Sequence, residues 1–410
     1  MSPDLLHTKG GTRLLTLGGL PLQKDLEPLH WLLAGTTGAG KTTAIEEMLA
    51  GITARGERAI VCDPQGSYLS RFGVEGDKLL NPFDGRSERW CLFNEIRRDF
   101  DAERLARSVV PDGNGEAAAW NGYAQTLLAE IIRALLRSGE ATTERLLFWA
   151  TVALPDELRK LLAGTPAAGL FDSEASKALA STRYVLANHL APQRHMRDGA
   201  FSLRTWLEDE QGSLYLTWRT DMQVALAPLL ATWVDVIASA VLSLNPSSER
   251  RIWLVIDELA ALGKLASLES ALTMGRKNGL CVVAGLQSIA QLDRIYGRES
   301  AQVLRACFRN LLVLAISKTD PDTAEAMSRA LGEQEVRREE ETRSHGSSGN
   351  SRSHSVRHAT ERVVMPAEIS GLPNLVGFLA LAGDSAIQRI ALTPQRREMV
   401  TEPYLEEPLC

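Results

Sequence analysis

His30-Trp31-Leu32-Leu33-Ala34 followed by Gly35-Thr36-Thr37-Gly38-Ala39-Gly40-Lys41-Thr42-Thr43 decides the fold. The first five residues are an apolar run of strand length, and from Lys41 through Leu49 the apolar residues recur at helical spacing. Strand, glycine loop and helix follow one another, and Gly35 to Thr42 fill every fixed position of the GxxxxGK[ST] phosphate loop. Glycines let backbone amides converge on phosphates, Lys41 neutralises charge on the β- and γ-phosphates, and Thr42 offers its hydroxyl to magnesium. The expected ligands of Gly35 to Thr43 are therefore ATP and Mg2+. A chance glycine turn would lack the flanking strand and helix.

Reading outward, a second apolar strand, Arg58 to Cys62, is stopped by Asp63-Pro64-Gln65-Gly66, which gives two parallel strands with a crossover helix. From Asp101 to Arg197 strand signals vanish and helical spacing dominates, as in Tyr123 to Leu136 and Ser176 to His189. This predicts an all-helical insert over 97–197, dividing a nucleotide-binding domain into 1–96 and 198–410. Strands return at Ser213 to Trp218, Arg251 to Ile256, Leu280 to Ala284 and Leu311 to Ile316. A last pair, Leu375 to Leu381 and Ala386 to Leu392 around Gly383-Asp384, reads as a hairpin completing the sheet. Between Gly332 and Arg362 the composition turns to Glu, Arg, Ser, Gly and His, too polar to build a core, and predicts a mobile loop that is disordered near 337–362. No internal repeat is present.

Ile252-Trp253-Leu254-Val255-Ile256 ends in Asp257 and Glu258, two acids where parallel strands present their carboxyl ends to ligand. Asp257 is expected to hold the magnesium, and Glu258 to act as the base that polarises the attacking water. Taken alone, the pair would also serve as an acidic start to the next helix. Leu280 to Ala284 runs into Gly285-Leu286-Gln287-Ser288, where the Gln287 amide either senses the γ-phosphate or caps the strand end. An extra strand between the phosphate loop and Asp257 is the order of RecA-like motors, which act as rings. In Gly275-Arg276-Lys277-Asn278-Gly279 the cations suit a helix C-terminus. In a ring, Arg276 is also placed to reach the neighbouring subunit's γ-phosphate as a finger.

The 410 residues are 44% hydrophobic and 23% charged, enough for a large core, and the net charge of −6 supplies no global field for nucleic acid. Any DNA contact is then local and summed over a ring. The five cysteines (Cys62, Cys91, Cys281, Cys307, Cys410) form no CxxC pair and signal neither zinc nor disulfides, which suits a reducing cytoplasm. Met1 to Lys9 lacks the pattern of a signal peptide. Leu226 to Leu244 is long and apolar but carries Asp235, Thr232 and Ser239, so it reads as a buried core helix of a soluble chain. Trp120, Trp149, Trp206 and Trp233 lie on helical apolar patterns and are expected in the core. His345, His354 and His358 fall in the polar stretch and are assigned no chemistry.

Several further segments carry a family resemblance: Val61-Cys62-Asp63-Pro64, Leu80-Asn81-Pro82-Phe83-Asp84, Phe93-Asn94-Glu95-Ile96-Arg97, Trp206-Leu207-Glu208-Asp209, Trp233-Val234-Asp235-Val236 and Val364-Met365-Pro366-Ala367-Glu368-Ile369. With Gly35 to Thr42, Ile256 to Leu259, Gly275 to Lys277 and Val283 to Ser288, nearly the whole chain resembles the TrwB/TraD-type type IV coupling proteins of bacterial conjugation. The resemblance implies an α/β, RecA-like P-loop domain with an inserted all-α domain, assembling as a homo-hexamer around a channel at the cytoplasmic side of the inner membrane. It implies a DNA-dependent ATPase that moves DNA independently of sequence and links relaxase and relaxosome proteins to the type IV secretion channel. The finger carries over onto Arg276 and the phosphate sensor onto Gln287. Such proteins usually begin with a transmembrane segment, which this sequence lacks, so a weak hexamer is expected. Two alternatives share the ATP site: a nucleotide-ordered recruitment module, against which Glu258 argues, and a protein-secretion ATPase.

Overall fold

A computed structural model describes residues 13–172, 175–209, 211–346, 349–384 and 386–406. In chain order the strands are β1 (Leu15–Leu17), β2 (Leu20–Leu22), β3 (Trp31–Ala34), β4 (Arg58–Pro64), β5 (Lys78–Leu80), β6 (Leu214–Trp218), β7 (Ile252–Ile256), β8 (Leu280–Leu286), β9 (Asn310–Val313), β10 (Glu333–Gly346), β11 (Gly349–Arg362), β12 (Val376–Ala380) and β13 (Gln388–Ala391). Among the described residues, nine of them form one sheet in the order β13-β12-β9-β3-β8-β7-β4-β6-β5. From β9 to β5 every pairing is parallel, and the hairpin β12-β13 closes the β9 edge in antiparallel register. β8 separates the phosphate-loop strand β3 from the acid strand β7, as the strand signals imply. The fold is α/β and RecA-like.

The central strands are apolar throughout because both faces are covered. Leu32, Ala34, Ile60, Leu254 and Ile256 point into one core, whereas Trp31, Leu33, Val61, Trp253 and Val255 point into the other. Helix Lys41–Ala54 and the β1-β2 ribbon cover the second face. The described residues from Asp101 to His195 form helices without a strand, and their apolar faces join the first core. Helix Gln223–Ser243 runs through that core. The segment Thr220–Ser243 is long and apolar enough to cross a membrane, yet 78% of its apolar window is buried inside the protein. Asp235 is tolerated there because its carboxylate accepts from the Ser108 hydroxyl and from the Ser267 amide and hydroxyl.

Two expectations are corrected. The polar stretch read as a mobile loop is an antiparallel ribbon, with β10 and β11 in register from Glu333↔Arg362 to Gly346↔Gly349. Composition tests for a core, and a two-stranded ribbon satisfies its backbone without one. Its base is anchored by Arg362 to Glu325 at 3.2 Å and to Glu333, and His358 sits 2.9 Å from Glu335. Trp120 is also not core. It is 37% exposed and meets Tyr123 edge-on at 5.9 Å, because the first two turns of helix Ala117–Ser138 precede its first buried residue, Ala124. Trp206 and Trp233 are fully buried, and Trp149 packs half-buried against the core. The described cysteines are free, and no group of three or more His, Cys, Asp or Glu residues is placed to hold a metal among the described residues. Met1 to Lys9, Ser347-Ser348 and Cys410 lie outside the described residues.

Candidate functional site

The carboxyl ends of β3, β4, β7 and β8 converge on one side of the sheet, and each supplies a piece of the site. After β3 the chain turns through Gly35, whose amide donates to Leu286 O on β8 at 2.9 Å, while the Thr36 amide donates to Ala315 O at 2.9 Å. Gly38 and Gly40 take φ of 78° and 121°, conformations that glycine adopts without strain, and they wrap the loop into the start of helix Lys41–Ala54. Thr37, Gly38 and Thr42 are exposed, so the loop is open to a ligand, whereas Ala39, Gly40 and Lys41 are buried beneath it. The buried side is held from a distance. The Leu375 amide donates to Ala39 O at 2.9 Å, and a Cβ on Gly40 would lie 3.1 Å from the Leu375 side chain and 3.2 Å from Leu392.

Lys41 Nζ donates back to the carbonyl oxygens of Gly35 at 2.7 Å and Thr36 at 3.4 Å. Burial lowers its pKa, and the carboxylates of Glu258 and Asp257 raise it. Across from it, at the end of β7, Asp257 Oδ2 accepts from the Thr42 hydroxyl at 3.4 Å and from the Tyr68 hydroxyl at 2.9 Å. Thr42 and Asp257 thus share one corner of the site.

Glu258 is the unusual member. Both carboxylate oxygens are buried, with the Ala260 and Gln287 amides as their polar neighbours. Burial pushes its pKa up from 4.5 to about 7; Lys41 pulls it down, Asp257 raises it again, and the neighbouring Gln287 amide lowers it. A desolvated carboxyl poised near neutrality beside a lysine is the condition of a general base. Gln287, the residue after β8, is half-buried and faces this carboxylate. β8 approaches closely enough only because residue 285 is glycine. A Cβ there would fall 1.8 Å from the Asp257 carbonyl oxygen.

The structure therefore gathers Gly35 to Thr43, Asp257, Glu258 and Gln287, and it does not gather Arg276. That side chain is exposed in the turn Gly275–Asn278, which leads into the amino end of β8, at the opposite end of the strands from the phosphate loop. Tyr68 has no signal in the sequence that marks it for the site. An aromatic residue after a proline-glycine turn reads as packing, and its side chain is fully buried.

The family model for the type IV secretion-system coupling protein DNA-binding domain matches residues 14–393. The chain belongs to that family. The chain is 29% identical over 420 residues to coupling protein TraD of Escherichia coli (strain K12), an alignment covering 98% of the chain and 58% of TraD. It spans less than two thirds of that relative's length. The solved structure of unbound TrwBdeltaN70, a bacterial conjugative coupling protein, superposes with a TM-score of 0.91 at 45% identity, covering 98% of this chain and 93% of the other. Plasmid coupling protein TrwB in complex with ADP and Mg2+ superposes with a TM-score of 0.89 at 45% identity, covering 99% and 95% of the two chains.

Proposed function

We propose that this coupling protein is a magnesium-dependent ATPase that turns hydrolysis into DNA movement during conjugation. The observation that carries the reading is Glu258: a desolvated carboxylate beside a phosphate-loop lysine. Desolvating a carboxylate is costly, and a strongly perturbed acid in a cleft marks a candidate for chemistry. Thr42 and Asp257 form an oxygen-only donor set, which suits a hard divalent cation. These two residues would hold Mg2+, which when bound neutralises phosphate charge. Backbone amides of Gly35 to Thr43 would cradle the phosphates, and Lys41, released from the loop carbonyls, would neutralise the γ-phosphate. Glu258 takes the proton from the attacking water, and Gln287 orients that water or the γ-phosphate beside it.

Arg276 cannot join this set within one chain, so its finger role requires a second subunit whose β8 amino end faces the first subunit's loop. Support for a ring comes from that separation together with the TrwB likeness, and the proposed assembly is a homo-hexamer on the cytoplasmic side of the inner membrane. The proposed partners are DNA bound independently of sequence, relaxase and relaxosome proteins, and components of the secretion channel. DNA contacts in such a channel are phosphate contacts, few per subunit for a chain of net charge −6, and salt-sensitive.

The test is magnesium-dependent ATP hydrolysis measured against protein concentration, with and without single-stranded DNA, for wild type and Lys41→Ala. A steeper-than-linear, DNA-enhanced rate that Lys41→Ala abolishes is expected. A rate linear in protein and indifferent to DNA would remove the DNA-motor reading.

A further inference from the structure

The link from Asp63 through Tyr68 to Asp257 has a consequence for the metal corner. Asp63, next to last in β4, is fully buried, and its carboxylate accepts the backbone amides of Tyr68 at 3.0 Å and Leu69 at 2.7 Å, with the Ser67 hydroxyl at 3.3 Å. Those bonds fix the first turn of the following helix and hold Tyr68 with its ring buried among the strands and its hydroxyl directed at Asp257. The Tyr68 hydroxyl lies 2.9 Å from Asp257 Oδ2, the same oxygen that Thr42 reaches more loosely at 3.4 Å. A phenol has one proton to give, and this one goes to the acid that faces the phosphate loop. A tyrosine placed only for packing would be as well served by phenylalanine, since burying a hydroxyl costs free energy unless it is hydrogen-bonded.

From this geometry we infer that Tyr68 is a positioning residue for the divalent cation: its hydroxyl fixes the Asp257 carboxylate, and the Asp63 cap fixes Tyr68. Ligands of a metal are commonly oriented by such outer hydrogen bonds, and losing one costs about 10–100-fold in metal affinity. The inference rests on the proposed nucleotide site, and its chemistry is separable from hydrolysis. The Tyr68 hydroxyl meets Asp257 and the Thr42 hydroxyl, the two groups of the metal corner, so its loss should spare metal-free nucleotide binding and weaken only the increment that the cation adds.

The experiment compares wild type and Tyr68→Phe by calorimetric titration with ADP, first in EDTA and then across a Mg2+ series. In Tyr68→Phe the ADP affinity in EDTA is expected to be unchanged, while the Mg2+ concentration giving half of the magnesium-dependent gain rises about tenfold. In hydrolysis assays the loss should be recovered at saturating Mg2+, a rise in the apparent KM for Mg2+ at nearly constant kcat. Equal Mg2+ dependence in the two proteins would overturn the positioning role. Equal loss with and without Mg2+ would overturn it as well, reducing Tyr68 to a structural residue. A wild type whose ADP affinity does not respond to Mg2+ would instead refute the metal site itself. Asp63→Asn serves as the second variant: if the cap acts through Tyr68, it shifts the Mg2+ midpoint in the same direction, and combining it with Tyr68→Phe adds little further shift.

Discussion

Replacing Glu258 by glutamine should do two opposite things at once. In the folded, nucleotide-free protein burial holds this carboxyl's pKa near 7, against 4.5 for the exposed group. As pH rises from 4.5, the unfolded chain gives up this proton first, so folding stability falls through the window and levels off above about 7. The whole gap is worth about 3 kcal/mol at about 1.4 kcal/mol per pH unit, of which about 2.5 kcal/mol lies between pH 5 and pH 8. Glutamine keeps the shape and does not titrate. The stability of Glu258→Gln relative to wild type should therefore improve by about 2.5 kcal/mol on going from pH 5 to pH 8, measured by urea unfolding without nucleotide or metal. Asp63, which burial also lifts to about 7, titrates in both proteins and cancels in the difference. Over the same exchange, hydrolysis at pH 8 should drop by about 10²–10⁴-fold while ADP binding persists, because a base has been lost and not a ligand contact. A stability difference independent of pH would refute the desolvated carboxyl. Hydrolysis within a few-fold of wild type would refute its role as base.

Other positions give sharper structural tests. His30 is fully buried, with Nδ1 accepting the Val282 amide at 3.2 Å and Nε2 donating to Leu272 O at 2.9 Å, and burial lowers its pKa from 6.5 to about 4. The unfolded chain takes this proton first as pH falls, so wild type should lose up to about 3 kcal/mol between pH 6.5 and pH 4. Denaturant titrations of His30→Gln should lack that component. Gly285→Ala places a Cβ against the Asp257 carbonyl, which no side-chain rotation relieves, and forces β8 from β7. A loss of about 1–3 kcal/mol in stability is expected, with hydrolysis falling further than stability alone explains. Arg276→Ala and Lys41→Ala should each be inactive alone, and mixing them should restore part of the activity if the finger acts between subunits. Mixtures no more active than their components would remove that role.

The phosphate loop was legible because its chemistry is contiguous: four fixed residues in an eight-residue span between a strand and a helix say what they bind. Asp257 and Glu258 were legible for a related reason, since acids at the end of a fully apolar strand have few other uses. Tyr68 was not, because its partner lies 189 residues away and only the sheet order brings β4 and β7 together. The same holds for Leu375 beneath Ala39. Arg276 shows the reverse limit. Sequence marked a cation near the site's strand, and the fold places it at that strand's far end, where one chain alone gives it no phosphate to meet. Trp120 was misread because periodicity reports a helix face and not where along the helix packing begins. In the ribbon from Glu333 to Arg362, composition spoke about cores while the structure asks only for backbone partners.

The turn that presents Tyr68 lies beneath another segment. Pro403 occupies the space over Gly66, whose Cβ would stand 2.0 Å from the proline carbonyl; the Val400 amide donates to Ser70 O at 2.8 Å; and the Leu405 amide donates to Asp84 at 3.1 Å. This turn cannot open to solvent while that segment stays in place. The amides of Tyr68, Leu69, Val400 and Leu405 therefore belong to one cooperative opening unit and should exchange their hydrogens with deuterium at a common rate. A stretch more than three hundred residues from the phosphate loop in sequence thus sets how often the aspartate that faces it loses its support.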